Sequence, residues 1–147
     1  MKYIYTFSAL VSLLVSCTKE KSKSELILGD WQIAALTVDP PQIENGVVIT
    51  DLYAQIEDCD KDNYYSFYEN NTYKFDQGAI ICDSLEPQNI SGNWNFIDDE
   101  TKLQLIYQSD TILYTLIDLD EELFKMSYSE RDSNNILHTL TVTFEPF

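Results

Sequence analysis

The chain is poor in the residues from which most active sites are built. Its 147 residues include one histidine (His138), one arginine (Arg131), four glycines and four prolines, with 25 acidic side chains against nine basic ones. A Ser or Cys hydrolase needs a histidine beside an activated nucleophile and an oxyanion hole, yet no Gly-x-Ser-x-Gly elbow or glycine-rich turn is present. No Cys-x-x-Cys pair or Cys/His cluster offers a zinc site, and no cofactor motif occurs, so neither catalysis nor a cofactor is expected. A formal net charge of −16 repels phosphate backbones and anionic lipid, which excludes nucleic acid as a partner and electrostatic docking on a membrane. The longest apolar run, Tyr3 to Val15, has 13 residues, whereas a bilayer crossing takes about 20.

That short run follows Lys2 and stops at a cysteine, in the order of a secretory leader. Leu14-Val15-Ser16-Cys17 resembles the bacterial lipobox, which implies cleavage before Cys17 and lipidation of its sulfur. Two or three acyl chains on one residue are enough for stable anchoring, each buried methylene contributing ~0.8 kcal/mol. The expected organisation is a lipoprotein signal peptide over 1–17, a flexible tether over 18–25 and one folded domain over 26–147. Thr18 to Glu25 has no apolar side chain to bury, which is why a tether is expected there. The localisation this implies is the cell envelope, at the outer membrane. Excluding Cys17 leaves Cys59 and Cys82, an even number in an exported protein, and a disulfide between them is expected.

The folded part reads as strands. Alternating or β-branched and aromatic segments recur at 31–38, 63–69, 72–76, 92–97, 102–107, 111–117, 123–128 and 136–144, separated mostly by short polar turns. Glycines and prolines fall outside strand interiors. Gln42 to Asp62 is too long for a hairpin loop, and apolar residues at 49, 52, 53 and 56 have helical spacing, with Thr50 or Asp51 able to cap. A short helix or covering loop is expected there, between the first two strands. Sequential antiparallel strands remove their exposed edges by closing, so the fold expected is an all-β, eight-stranded antiparallel up-and-down barrel. In the Asn70-Asn71 hairpin, a two-residue turn sets Cys59 directly opposite Cys82, while a three-residue turn pairs Phe67 with Phe75 and leaves the cysteines one step apart. Either register brings the sulfurs within reach of a bond.

Several of these segments resemble lipocalin-like lipoproteins of the Bacteroidota type. Gly29-Asp30-Trp31 is similar to the Gly-x-Trp that opens such domains, where the tryptophan plugs the closed end of the barrel. Phe67 to Phe75 resembles their Phe…Asp-Gly-Thr-Tyr hairpin, Gly92-Asn93-Trp94 their second Gly-x-Trp, and Thr141 to Phe144 their closing strand. The chain departs from lipocalins at its end, Glu145-Pro146-Phe147, where a basic residue normally covers the first tryptophan, and it shows no carboxy-terminal helix. The resemblance implies a barrel that holds a small apolar or amphipathic ligand, with 42–62 as a lid and the protein a monomer. Candidate ligand contacts are the aromatic set Trp31, Phe67, Tyr73, Phe75, Trp94 and Phe96, joined by His138, which shares its strand parity with Leu140, Val142 and Phe144. The same rings would equally fill a solid core, and His138 could simply be a satisfied interior residue. A filled barrel would leave an envelope interaction domain, using an outer aromatic patch of Tyr53, Tyr64 and Tyr68.

Asp58-Cys-Asp60-Lys-Asp62-Asn63, with Glu69, matches calcium-loop spacing at four positions. Asn63 stands where that loop requires glycine, and the following residues read as a strand, so a polar loop entering a strand is expected and no metal site.

Overall fold

The computed structural model describes residues 20–82, 85 and 87–147. The expected signal peptide and its Cys17 lie outside the described residues. Part of the expected tether is ordered: a helical turn, α1 (Lys23–Leu26), carries a capping box in which Ser22 Oγ accepts from Glu25 N–H and the Glu25 carboxylate accepts from Ser22 N–H. Lys23 Nζ donates to the Glu100 carbonyl at 2.9 Å, and Lys21 pairs with Glu121 at 2.5 Å. Ile27 behind them is fully buried. Contacts with the barrel thus start at Lys21, within the stretch 18–25 expected as a tether. The purely polar composition that suggested a tether conceals a Ser-x-x-Glu start signal ahead of Leu26-Ile27-Leu28.

Among the described residues nine strands form one sheet: β1 (Gly29–Glu44), β2 (Val47–Asp51), β3 (Tyr64–Phe67), β4 (Thr72–Asp76), β5 (Asn89–Ile97), β6 (Lys102–Tyr107), β7 (Asp110–Leu119), β8 (Phe124–Arg131) and β9 (Leu137–Pro146). From β3 to β9 every strand pairs antiparallel with its sequence neighbour, and β1 pairs with both β3 and β9. This closes an eight-stranded up-and-down barrel, the fold expected. Inward residues alternate: β9 buries His138, Leu140, Val142 and Phe144 while exposing 137 and 139.

The ninth strand is an addition. β1 runs past the barrel and folds back as a hairpin, Glu44 opposite Val47, and β2 lies along the same edge of β1 as β3. Residues 49–51 are thus strand and not the helix their spacing suggested. Within 42–62 the expected short helix and covering loop are present, as a 3₁₀ turn at Tyr53–Gln55 and a short helix, α2 (Asp58–Lys61). Asp51 does cap, its Oδ1 accepting from Ala54 N–H at 3.1 Å.

The β3–β4 hairpin follows neither expected register. Phe67 pairs with Tyr73 and Tyr65 with Phe75, around the three-residue loop Glu69-Asn70-Asn71. Asn71 adopts a left-handed φ of 60°, which suits a type I turn followed by a bulge residue. The Cys59–Cys82 disulfide forms, with Cα atoms 5.3 Å apart, but not across this ladder. Cys59 sits in α2 and Cys82 in the connection after β4.

The end of the barrel where the amino terminus enters is solid. Trp31 donates from Nε1 to the Ile27 carbonyl at 2.7 Å and meets Phe124 edge-on, with centroids 5.7 Å apart. Phe67 packs edge-on against both Trp94 and Phe124, and Leu103, Leu119 and Phe144 complete the cluster. Trp31 thus plugs the closed end, as the resemblance implied. Ile27 and α1 contribute on the side where the carboxy terminus carries no basic residue.

Candidate functional site

Toward the other end the barrel is not filled. A cavity of about 330 Å³ is lined by Ile33 and Leu36 of β1, Tyr65 of β3, Phe75 of β4, Tyr114 of β7, Met126 and Tyr128 of β8, and Val142 and Phe144 of β9. Ile56, Asp60 and Asn63, from the segment joining β2 to β3, complete the wall. A second space of about 240 Å³ shares Tyr65, Phe75 and Tyr114 and extends toward Tyr73, Ile90, Leu105, Tyr107, Asp110 and Ile112. The three shared rings separate the two spaces.

The wall is aromatic and its polarity is phenolic. Tyr65 lies 5.0 Å from Phe75 between centroids and meets Phe144 at 87°; Tyr114 meets Tyr128 at 5.6 Å and 88°. Among the described residues no group hydrogen-bonds to the hydroxyls of Tyr65, Tyr73, Tyr114 or Tyr128. Burial pushes the Tyr65 and Tyr114 phenols up, Tyr114 to about 12, and the neighbouring tyrosines add to each shift. Tyr73 and Tyr128 move the same way, chiefly through burial. All four are therefore neutral at ordinary pH, each able both to donate and to accept.

Residues 52–63 cover the side of the cavity between β2 and β3 and are held at several points. Leu52 N–H donates to the Leu36 carbonyl (2.9 Å), and Gln32 Nε2 donates to the Lys61 carbonyl (2.7 Å). Asp62 Oδ2 accepts the backbone N–H groups of Ala79 (2.8 Å) and Ile80 (3.0 Å), joining this segment to the β4–β5 connection beside the disulfide. Gly78 adopts φ +68°, and a Cβ there would collide with the Asp62 carbonyl and carboxylate. Asn63 Nδ2 donates to Asp60 Oδ1 at 3.1 Å, while Asn63 Oδ1 is buried without a partner.

The expected ligand residues divide by height in the barrel. Tyr73 and Phe75 line the open spaces. Trp31, Phe67 and Trp94 face inward but are consumed in the solid end, and Phe96 packs edge-on against Trp94 there. His138 also faces inward, yet it lines neither space. Its Nδ1 is 2.7 Å from the Pro40 carbonyl and so carries the proton, and its Nε2 lies 3.5 Å from Asp132 Oδ2. Asp132 itself shapes the β8–β9 turn, accepting from Asn134 and Ile136 N–H, and these contacts hold its carboxyl below the usual range. His138 is therefore an interior residue fixed through Nδ1, with its buried Nε2 left without a hydrogen-bond partner.

The aromatic patch expected outside is not contiguous. Tyr53 and Tyr68 lie beyond opposite ends of β3, and Tyr64 is stacked beneath Phe147 at 4.5 Å with Lys74 over its ring. Exposed aliphatic residues at the open end include Ile43, Val47 and Val48 on the strands of the β1–β2 hairpin, and Ile80 and Ile81 on the β4–β5 connection. Asp58 pairs with Lys61, and the metal-competent grouping found among the described residues, Glu57 with Cys59 and Cys82, has both sulfurs committed to the disulfide. Tyr65, Tyr114 and Tyr128 were missed as cavity residues. Parity places all three inward, but only the barrel's closure shows which inward rings lie above the solid end.

These features define a closed antiparallel barrel with one packed end and one hollow end. The chain belongs to the family described as domain of unknown function DUF5004, whose profile matches residues 15–145. No curated protein matches it. Among solved structures it is similar to bovine odorant-binding protein in complex with undecanal, at 15% identity over 88% of this chain and 76% of that one, with a TM-score of 0.48. It is likewise similar to the bovine protein with a selenium-containing odorant, at 12% identity over 82% and 73% and a TM-score of 0.45. A deswapped triple mutant of the same bovine protein gives 14% identity over 86% and 75%, with a TM-score of 0.46.

Proposed function

We propose that this chain is a lipid-anchored envelope protein, monomeric and non-catalytic, that holds a small apolar or amphipathic molecule inside its barrel. The observation that carries this reading is the hollow half itself: about 330 Å³ of aromatic-walled space lined by Tyr65, Tyr114 and Tyr128, whose hydroxyls have no hydrogen-bond partner among the described residues. That volume falls at the lower end of the range for small-molecule sites, ~300–1,000 Å³. Apolar walls with a few hydrogen-bonding groups suit a ligand with a greasy body and one polar function.

The anchor is part of the same proposal. Lipid on Cys17 would hold the protein with its closed end toward the membrane, because α1 is fastened to the β5–β6 and β7–β8 turns by Lys23 and Lys21. Chain of this length between Cys17 and Ser22 spans at most roughly 17 Å. The hollow end would then face away from the bilayer. Substituting Cys17→Ala should move the protein from the membrane to the soluble fraction, and unchanged membrane attachment would contradict the anchor.

The cavity is tested by titrating the mature chain with N-phenyl-1-naphthylamine, a neutral fluorophore that brightens in apolar surroundings. Saturable one-to-one binding is expected in the wild type, and its loss in Leu36→Trp, which fills the space. Absence of binding, or equal binding by the variant, would contradict a ligand site here. A second reading, an interaction domain, is favoured by the exposed aliphatic residues at the open end, and binding that survives Leu36→Trp but disappears with Val47→Lys would support it.

A further inference from the structure

We infer that the cavity selects cationic amphipaths, molecules with an apolar body and an amine or quaternary ammonium group, over anionic ones such as fatty acids. The inference rests on the reading of the cavity as a ligand site and adds the sign of its ligand's charge.

No lysine, arginine or histidine lines either space. The ionisable groups present are carboxylates at exposed positions on the rims: Asp60 on the covering segment and Asp110 beside the second space. Among the described residues neither carboxylate has a basic partner. Asp60 Oδ1 accepts only from the Asn63 amide, so its charge is not neutralised. A carboxylate ligand would have to give up its hydration for phenol donors alone, with the Asp60 charge on the exposed rim opposing it.

The walls favour the opposite charge. The faces of Tyr65, Phe75, Tyr114 and Tyr128 carry the negative side of the ring quadrupole, and a cation within about 6 Å of such faces is stabilised, more so where water is excluded. The neutral phenols can accept from an ammonium N–H. Asn63 lines the wall beside them, its amide donating to the Asp60 carboxylate. The chain's net charge of −16 supplies a long-range field that concentrates cations and repels anions.

The test compares ligands that share a tail and differ in charge. Decylamine, decyltrimethylammonium, decanol and decanoate, each below its micellar concentration, displace N-phenyl-1-naphthylamine from the mature chain at pH 7. The solution carries physiological salt, so that surface charge more than ~8 Å away is screened. Both cations are expected to bind at least about tenfold more tightly than decanoate, with decanol between them. Asp60→Asn should narrow the amine-to-carboxylate ratio several-fold, while Glu145→Gln, a charge change on the closing strand, should leave it unchanged. Decanoate binding as tightly as decylamine, or a ratio that ignores Asp60→Asn, would overturn the inference while leaving the cavity reading intact if decanol and the fluorophore still enter. Failure of the fluorophore itself would instead remove the cavity reading, and this inference with it.

Discussion

Asp62 Oδ2 lies 2.8 Å from the backbone nitrogen of Ala79 and 3.0 Å from that of Ile80, so one carboxylate oxygen holds the cavity's covering segment to the β4–β5 connection. Hydrogen bonds to a charged acceptor contribute about 1.5–3 kcal/mol each. Asp62→Ala should lower stability by ~2 kcal/mol in urea titrations and speed release of a bound fluorophore in stopped-flow measurements. Unaltered release would mean that this segment does not gate the cavity.

The Cys59–Cys82 bond works on the same two segments. Tying residues 23 positions apart restricts the unfolded chain and should contribute ~3 kcal/mol. A Cys59→Ser, Cys82→Ser double variant should melt well below the wild type yet retain the barrel's circular dichroism, since neither cysteine lies in a barrel strand. Loss of all β signal would show that the bond is required for closure as well.

Gly92 is a packing constraint at the seam between β4, β5 and β6. A Cβ there would strike the Ile106 carbonyl and press on the Tyr73 ring. Because one obstacle is backbone, Gly92→Ala should cost ~1–3 kcal/mol, as overpacking does, and should displace Tyr73. Chemical denaturation and the Tyr73 ring resonances would check both effects.

Stability should fall at both extremes of pH for separate reasons. Asp76 accepts from Gln88 Nε2 (3.0 Å) and Lys74 Nζ (2.9 Å), contacts that hold its carboxyl below its ordinary value. Its contribution is present above the unfolded carboxyl pKa, near ~3.9, and is lost as pH falls through the lower folded value. Asp76→Asn should therefore flatten the stability profile below about pH 4. The cavity tyrosines act oppositely. Their folded phenols lie above the unfolded value of ~10, so their contribution is complete below pH ~10 and is lost as pH rises toward and through the folded values, Tyr114 at about 12. Tyr114→Phe should flatten that alkaline limb. Denaturant midpoints measured across pH would separate the two groups.

The barrel was legible because alternation and short polar turns are local properties, and β4 to β9 all declared themselves that way. What failed were choices between near-equivalent local options. Two adjacent asparagines permit several turns, and only the three-dimensional structure shows Asn71 taking the left-handed position. The 49–56 segment straddles a strand end and a 3₁₀ turn, so its apolar positions mimic one helix. The disulfide followed from cysteine number, although the hairpin offered as its geometry does not contain it. Ser22 and Glu25 went unread as a capping box because composition dominated there. Cavity and core could not be told apart for Phe67 and Phe75, both inward aromatics, because strand parity carries no information about depth along the barrel.

The central claim is that the hollow half of the barrel, and not its outer surface, receives the ligand. A crystal structure of the mature chain with N-phenyl-1-naphthylamine tests it directly. The account predicts the naphthalene between Tyr65, Phe75 and Tyr114, with Ile56 against it. The fluorophore lying on the exposed hairpin at Ile43, Val47 and Val48, or side chains collapsed to fill the space, would contradict it.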